Sequence, residues 1–326
     1  MTVTHVASLP DGSPLLGVTL RSDQLTAKVL SFGAALQDLR LEGHSSPLVL
    51  GYQNPLDYLQ NPSYLGVIVG RVANRISGGA ITVNGARYEL DKNESGTTTL
   101  HGGRDGCSHR NWDVLEHGPS HVSLGCVLPD GHMGFPGRLE LTATYRLNAA
   151  SLQVALTART DAQTVCNPAP HIYFNLDGHA DIRNHRLQID TNQVLPTDQG
   201  LPISGPISAE TLGYDLRTPN AVPQGLDHHF CFRPASGPLQ KMAQLSAPGI
   251  AMELRSTAPG LQVYDGSGLS VQGAGLRGAD YGSRSGLALE PHGWIDAPNQ
   301  PWSHQSALGP DDIFSAETEF SFEVLA

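Results

Sequence analysis

One segment of this chain alternates apolar and polar residues without interruption, and this pattern restricts the fold more than any other feature. From Leu139 to Leu147 every second residue is apolar. Because successive side chains of a β-strand point to opposite faces, a period of two predicts a strand with one buried face. After a turn at residues 148–151 the same alternation returns over residues 152–158. The two segments are therefore predicted to form a β-hairpin.

Other parts of the chain carry the same kind of signal. Residues 81–90 are predicted to form two short strands around Asn84-Gly85, a dipeptide favoured in two-residue hairpin turns. Residues 320–324 alternate as well, and 36 glycines and 23 prolines leave little room for long helices. No linker, low-complexity tract or internal repeat is visible. We therefore predict an all-β fold, one large antiparallel β-sandwich domain over residues 1–326 with few short helices.

The composition argues against several classes of partner. Charged residues make up only 16% of the chain, and the formal net charge is −11. Such a chain repels nucleic acids and anionic membrane surfaces, so we expect neither as a partner. No apolar run approaches the roughly 18 residues of a membrane helix, and the first residues do not resemble a signal peptide. Four cysteines without a C-x-x-C pair indicate free thiols, and we expect a cytoplasmic protein.

The segment Tyr64–Ile76, YLGVIVGRVANRI, combines a strand signal with strong hydrogen-bonding side chains. Its apolar residues 67–69 predict a short buried strand. Arg71, Asn74 and Arg75 follow at the end of that strand, where guanidinium and amide groups suit the binding of polyols or carboxylates. An arginine beside a strand also commonly serves in a structural ion pair. The residues alone leave both interpretations open.

Two histidines lie in settings that suit catalysis or ligand binding. His101 is followed directly by two glycines, which let the backbone turn sharply and a ligand approach closely. His171 has apolar neighbours that would bury it and shift its pKa from the reference value of about 6.5. The alternatives are a surface loop for His101 and a hydrogen-bonded core position for His171.

Two acidic residues are further candidates. Asp227 stands where a strand is predicted to begin, and Glu290 ends an apolar run in which a carboxylate is costly unless it has a partner. The two acids would instead form a glycosidase pair if their separation were right. The adjacent His228 and His229 do not indicate a metal site, because neighbouring strand residues point to opposite faces. No H-x-H, H-E-x-x-H or nucleotide-binding motif is present.

Together these segments resemble the aldose 1-epimerases, a family also called galactose mutarotases. The seven-residue match Gly-Arg-Val-Ala-Asn-Arg-Ile is specific, and shorter matches continue in family order over nearly the whole chain. These further matches are Ser31–Ala34, Val49–Gly51 with Tyr58, Leu100–Gly103, Gly134–Gly137, Tyr173–Leu176, Val194–Pro196, Asp227-His228, Leu261–Tyr264 and Leu289-Glu290 with Trp294.

The resemblance implies a function and a role for each candidate residue. It implies a single large β-sandwich that interconverts the α and β anomers of a free monosaccharide, a hexose such as galactose or glucose, without cofactor or metal. Glu290 matches the general base of the family and His171 the general acid. A monomer or homodimer is expected. The residues implied to bind sugar hydroxyls are Asn74, Arg75, His101, Asp227 and Gln262.

The expected reaction needs two proton transfers. Ring opening removes a proton from the anomeric hydroxyl and supplies one to the ring oxygen, so an ionised Glu290 would accept the first and a protonated His171 would supply the second. The acid limb of the pH profile would then report the carboxylate and the alkaline limb the imidazolium. The alternatives are a non-catalytic sugar-binding or sensor module and a hexose-phosphate epimerase. The acid/base pair argues against the former, and the total of only 20 Lys and Arg argues against the latter.

Three positions depart from the family pattern. Pro170 stands where asparagine usually precedes the acid histidine, and because proline has no N–H to donate, we expect other partners to orient His171. His229 replaces a usual asparagine, and His292 replaces a common amide or hydroxyl residue. These changes leave the preferred sugar open. Trp294 is suited either to packing against a sugar or to a place in the core.

Overall fold

The structure, a computed structural model, describes residues 3–232 and 239–325. Its paired strands are antiparallel, and short 3-10 helices connect some of them. Among the described residues, no helix is long and apolar enough to cross a membrane. The helices span Pro55–Gln60, Ser77–Gly79, Cys107–His109, His132–Gly134, Ala209–Leu212, Leu276–Gly278, Ala297–Asn299 and Ser303–Gln305.

The largest sheet has nine strands, and the predicted hairpin lies near its centre. Leu139–Asn148 pairs with Ser151–Thr160, which confirms the prediction from the alternating pattern. The apolar residues of the first of these strands are all buried. In order across the sheet, the strands are Asp113–His117, His121–Leu128, Leu139–Asn148, Ser151–Thr160, Phe314–Val324, Ile250–Ser256, Gln240–Ala247, Arg186–Ile189 and Asn220–Ala221.

A second sheet of six strands packs against the first. The ring of Phe174 in this sheet lies 4.9 Å from the ring of Phe320 in the larger sheet, measured between centroids. Leu287 and Leu289 enter the same core, and burying each such side chain contributes roughly 1.5–3 kcal/mol. In order, the six strands are Ile172–Phe174, Leu287–His292, Gly260–Tyr264, Asp227–Cys231, Gln193–Val194 and Ile207–Ser208.

The remaining strands form smaller sheets. Four N-terminal strands form one sheet, in the order Val3–Ser8, Pro14–Arg21, Leu25–Leu30 and Leu36–Leu41. The two-stranded sheets are Ile68–Val69 with Ala169–Pro170, Arg75–Ile76 with Thr99–Leu100, Ala80–Val83 with Ala86–Glu89, Thr164–Val165 with Ala307–Leu308, and Thr197–Asp198 with Leu201–Pro202. The all-β antiparallel sandwich predicted from the sequence is thus confirmed.

The predicted turn at Asn84-Gly85 is also confirmed. These two residues connect the strands Ala80–Val83 and Ala86–Glu89, and their φ values are 50° and 78°. A two-residue hairpin of this type requires positive φ at both positions, which asparagine and glycine adopt readily.

The glycines after His101 were predicted to let a ligand approach closely. In the structure Gly102 instead allows close contact with another part of the chain. Gly102 has a φ of 85°, and a Cβ atom at this position would overlap the carbonyl oxygen of Gly70. Gly70 directly follows the short strand Ile68–Val69 predicted from the apolar run. This contact therefore brings the loop that carries His101 beside the GRVANRI segment.

Candidate active site

A cavity of about 250 Å³ opens on the polar face of the six-stranded sheet. Every residue predicted for the site lines it, although these residues come from six separate stretches of the chain. They are Asn74, Arg75, His101, His171, Asp227, Gln262 and Glu290. The tertiary structure therefore gathers the predicted residues around one space.

Strand alternation places part of this site. In neighbouring strands of the six-stranded sheet, Gln262 lies directly opposite Glu290. The adjacent residues Val263 and Leu289 point to the other face and enter the hydrophobic core. Asp227 begins the next strand, and its Oδ1 accepts a hydrogen bond of 2.5 Å from Nε2 of Gln262. Apolar residues on the core face thus anchor the polar residues on the cavity face.

Glu290 and His171 form a close, buried pair. The distance from His171 Nε2 to Glu290 Oε1 is 3.4 Å, and the two residues are only 5% and 2% exposed respectively. Burial raises the pKa of Glu290 well above its ordinary value, the charge of Asp227 raises it further, and Arg75 opposes the shift. Burial lowers the pKa of His171 to about 3. Burial therefore favours the uncharged form of both groups, whereas the sequence led us to expect two charged groups.

Aromatic neighbours hold the His171 ring. Its Nδ1 is buried and has no hydrogen-bond partner among the described residues. The preceding Pro170 lies in the short strand paired with Ile68–Val69, next to the GRVANRI segment. Three rings surround the imidazole at centroid distances of 5.9, 5.2 and 5.1 Å: those of Tyr64, His101 and Tyr173. Packing against these rings therefore orients His171.

His101 is buried rather than on the surface, and Asn74 fixes its orientation. The His101 N–H donates to the Asn74 carbonyl at 3.0 Å, and the Asn74 N–H donates to His101 Nδ1 at 3.2 Å. Both residues adopt positive φ, 51° and 60°. Burial, with a smaller effect of His171, lowers the pKa of His101 well below its ordinary value. The neutral ring therefore carries its hydrogen on Nε2 and can donate it to a ligand.

The two arginines of the GRVANRI segment have different surroundings. Arg75 lines the cavity, and Glu94 accepts two hydrogen bonds from it, at 2.9 and 2.8 Å. A Cβ atom at Gly200 would overlap the Arg75 guanidinium, so the chain also packs closely against this group. Arg71 is buried away from the cavity and donates to the carbonyl oxygens of Pro136 and Gly137. Both interpretations left open by the sequence, a ligand site and a structural ion pair, therefore fit Arg75, whereas Arg71 has a structural role through hydrogen bonds to carbonyl oxygens.

Sequence reasoning missed four residues that shape the site. Glu94 holds Arg75, and no local pattern marks it. Tyr64, Tyr173 and Tyr264 line the cavity. The strand period would have found the last two, because each lies two residues beyond a predicted site residue and so on the same face. Trp294 does not line the cavity: its Nε1 donates to the Pro259 carbonyl, and its ring packs against Trp302.

The adjacent histidines at 228 and 229 point to opposite faces, as predicted. His228 packs on Tyr214, with ring centroids 4.5 Å apart, whereas His229 packs on His292 at 4.8 Å. A different set of residues has the geometry to hold a metal ion. Donor atoms of His101, His171 and Glu290 all lie within 4.8 Å of one another, and two imidazoles with a carboxylate are ligands that zinc accepts.

The comparison with known proteins agrees with this geometry. The sequence model of the aldose 1-epimerase family matches residues 17–321. The chain is 36% identical to the galactose mutarotase of Rattus norvegicus over 343 aligned positions, which cover 99% of both chains. It is 32% identical to the aldose 1-epimerase of Escherichia coli (strain K12), with 97% of both chains covered.

Solved structures give the same result. An aldose epimerase homologue from C. elegans superposes with a TM-score of 0.89 at 26% identity, covering 96% of this chain and all of that one. A galactose 1-epimerase from Lactobacillus acidophilus superposes with a TM-score of 0.85 at 26% identity, covering 98% of both chains.

Proposed function

The chain belongs to the aldose 1-epimerase family, and we propose that it interconverts the α and β anomers of a free hexose such as galactose or glucose. The protein is thus an isomerase with mutarotase activity. The observation that carries the proposal is the 3.4 Å contact between His171 Nε2 and Glu290 Oε1 at a cavity lined by hydroxyl-binding groups. About 250 Å³ lies below the roughly 300–1,000 Å³ of sites for drug-sized ligands and suits one sugar ring.

In the proposed mechanism, one proton on the Glu290–His171 pair is sufficient. Its transfer from Glu290 to His171 creates a carboxylate base and an imidazolium acid in the same step. Glu290 then accepts the proton of the anomeric hydroxyl while His171 protonates the ring oxygen, and the ring opens to the aldehyde. Rotation about one bond followed by the reverse transfers gives the other anomer. A positioned acid or base typically contributes about 10²–10⁴ in rate.

The other cavity residues hold the sugar in place. Arg75 is fixed by Glu94, His101 presents its Nε2 hydrogen, and the Asp227–Gln262 pair supplies both acceptor and donor atoms. Asn74 contributes its side chain at the same wall. Such side chains recognise hydroxyl groups, whereas a phosphorylated hexose would require additional cationic groups. Arg75 is the one Lys or Arg side chain in the described lining of the cavity, which favours an unphosphorylated substrate.

We also propose a cytoplasmic location. All four cysteines lie in the described part of the chain, where each is free and buried, as expected in a reducing compartment. They are Cys107, Cys126, Cys166 and Cys231.

Anomer exchange on freshly dissolved sugars tests the proposed function. Polarimetry, or NMR saturation transfer, on a panel of hexoses and pentoses should show rates above buffer for galactose or glucose. Exchange equal to buffer for every sugar would overturn the proposal. Binding of a hexose without any exchange would instead identify a sugar-binding or sensor module. The ratio of kcat/KM across the panel would identify the preferred sugar.

A further inference from the structure

Two departures from the family pattern that lie 63 positions apart in the sequence, His229 and His292, contact each other in the structure. Their ring centroids are 4.8 Å apart, although the strand Gly260–Tyr264 runs between their own strands. The contact is possible because Gly260, the residue opposite His292 on that middle strand, has no side chain. A Cβ atom there would overlap the His229 ring. The ring of His229 therefore occupies the space above Gly260.

This histidine pair lies directly beside the candidate active site. In the sheet register, His229 is opposite Gln262, and Gln262 is opposite Glu290 on its other side. Side chains directly opposite each other in an antiparallel pair have Cβ atoms about 4.5–5.5 Å apart, so they are in contact. His229 and His292 are buried and do not line the cavity. They therefore act on the sugar only through neighbours such as Gln262.

Both histidines are neutral. Burial lowers the pKa of His229 well below its ordinary value, His292 lowers it further, and the side chain of Gln262 opposes the shift. Burial lowers the pKa of His292 to about 4. Nδ1 of His292 lies 2.5 Å from the carbonyl oxygen of Gly293, so it carries the hydrogen and Nε2 is an acceptor.

Several polar atoms in this cluster are buried and have no partner among the described residues. They are both ring nitrogens of His229, Nε2 of His292 and Oε1 of Gln262. A buried polar atom without a hydrogen bond costs roughly 1–3 kcal/mol. The single N–H of neutral His229 and the free acceptor of Gln262 belong to residues directly opposite each other, so each is the natural partner of the other.

We propose that His229 is a positioning residue that orients Gln262 for sugar binding, while His292 and the gap at Gly260 hold the His229 ring in place. His229 donates to Oε1 of Gln262, and this fixes the amide so that its Nε2 points to Asp227. The Gln262–Asp227 pair then presents one fixed set of donors and acceptors to the sugar hydroxyls. The inference rests on the proposed function, since it assigns a sugar-binding role to that pair.

Steady-state anomer exchange on His229→Ala, Gln262→Ala and the double variant tests the inference. His229→Ala should raise KM about tenfold and change kcat less than about threefold, because binding rather than chemistry is disturbed. The double variant should be no worse than Gln262→Ala, because His229 acts through Gln262. His229→Asn should restore most of the affinity, since its amide nitrogen reaches the position of Nδ1. Additive effects, or an unchanged KM in His229→Ala, would overturn the inference.

Gly260→Ala provides a test that leaves every side chain of the cavity intact. The added methyl group displaces the His229 ring and should raise KM, and combining it with His229→Asn should remove most of this effect because asparagine does not reach over Gly260. Gly205→Ala is the matched control, since no atom lies within 4 Å of a Cβ there and its φ is not in the positive range. Gly205→Ala should leave KM unchanged.

Thermal unfolding separates positioning from a merely structural role. A structural role predicts a lower Tm with KM unchanged, and this result in His229→Ala would contradict the inference. If Gly260→Ala does not fold, the KM values of His229→Ala and His229→Asn still show whether His229 is a positioning residue. Absence of anomer exchange in the unmodified protein would overturn the proposed function itself. Normal exchange with an unaltered KM in His229→Ala would overturn only the role of His229.

Discussion

The two sides of the cavity are built in different ways. On the strand side, neighbouring strands of one sheet carry Asp227, Gln262 and Glu290. On the loop side, Asn74, Arg75 and His101 come from a turn, the edge of a two-stranded pair and the loop after it. Core residues anchor the strand side from behind. The loop side instead depends on two residues with positive φ and on the Arg75–Glu94 ion pair.

This difference indicates a division of labour. Burial of Glu290 on the strand side raises its pKa and therefore suits this residue to proton transfer. The loop side offers hydrogen-bond donors, which include the buried His101 and the Arg75 side chain at 20% exposure, and it therefore suits hydroxyl recognition. Variants of Glu290 should mainly lower kcat, and variants on the loop side should mainly raise KM. His171 bridges the two sides, because its ring contacts both Glu290 and His101.

The largest effect is expected from Glu290→Gln, which keeps the shape of the side chain and removes the base. Turnover should fall by about 10²-fold or more, with KM nearly unchanged, because the lost group acts mainly in the transition state. Polarimetry at saturating sugar measures this. The matched control is Glu323→Gln, at an exposed position in the nine-stranded sheet, which should retain full activity. A Glu290→Gln enzyme with normal kcat would show that another residue is the base.

The pH profile of kcat/KM tests the pair itself. One proton on the pair gives the active form, so the profile should be bell-shaped, and the two limbs belong to the coupled pair. Because burial raises the pKa of Glu290 and lowers that of His171 to about 3, the alkaline limb should report Glu290 losing the last proton. The sequence led us to expect the opposite assignment, in which the alkaline limb reports the His171 imidazolium.

Glu290→Gln separates these two assignments. His171 is the remaining member of the pair in this variant, so the alkaline limb of the unmodified protein should disappear from its residual activity, because the group that titrates there has been removed. An alkaline limb that stays at the same pH in Glu290→Gln would restore the original assignment, in which the imidazolium is the group that titrates there.

A smaller effect is expected on the loop side from Glu94→Gln. This change removes the charge that holds Arg75 through two hydrogen bonds, so KM should rise about tenfold while kcat changes little. Glu89→Gln is the control, because it removes the partner of Arg87 in an ion pair whose side chains are 68% and 59% exposed. Exposed pairs contribute roughly 0–1 kcal/mol. Equal KM values for Glu94→Gln and Glu89→Gln would show that the Arg75–Glu94 ion pair does not support sugar binding.

The smallest effect concerns stability. The folded-state pKa of Glu290 is raised from 4.5, so the stability it contributes is present below that value and is lost as pH rises towards the folded pKa. Glutamine does not titrate, so Glu290→Gln removes this loss of stability at higher pH. The variant should therefore unfold at a higher Tm than the unmodified protein at pH 7, by a few degrees, with little difference near pH 4. A Tm difference that does not depend on pH would show that Glu290 does not titrate in this way.

The sequence predicted several strands and turns of the fold because local patterns determine them. Alternation over residues 139–147 identified a strand, and the Asn84-Gly85 dipeptide identified a turn, since both signals depend only on neighbouring residues. Glu290 stood out because a carboxylate at the end of an apolar run needs a partner. The specific roles of the site residues stay proposals until variants are measured, and so does the prediction of one domain over residues 1–326.

On the loop side, residue type and position marked Asn74, Arg75 and His101 as candidates, and the resemblance to a family implied their role in sugar binding. No local pattern identifies Glu94 as the partner of Arg75, or separates Arg75 from Arg71, four positions earlier. Both arginines follow the same short strand, and only the positions of distant carbonyl and carboxylate groups distinguish them. Such contacts join segments that are far apart in the sequence.

By itself, the sequence determined the strand periodicity, the turns and the list of chemically capable residues, because these depend on residue type and local spacing. Only the tertiary structure decided in which directions the pKa values of Glu290 and His171 move, since desolvation depends on everything that packs around them. It also decided that His229 and His292 meet over Gly260, because sheet register brings together residues that no spacing rule connects.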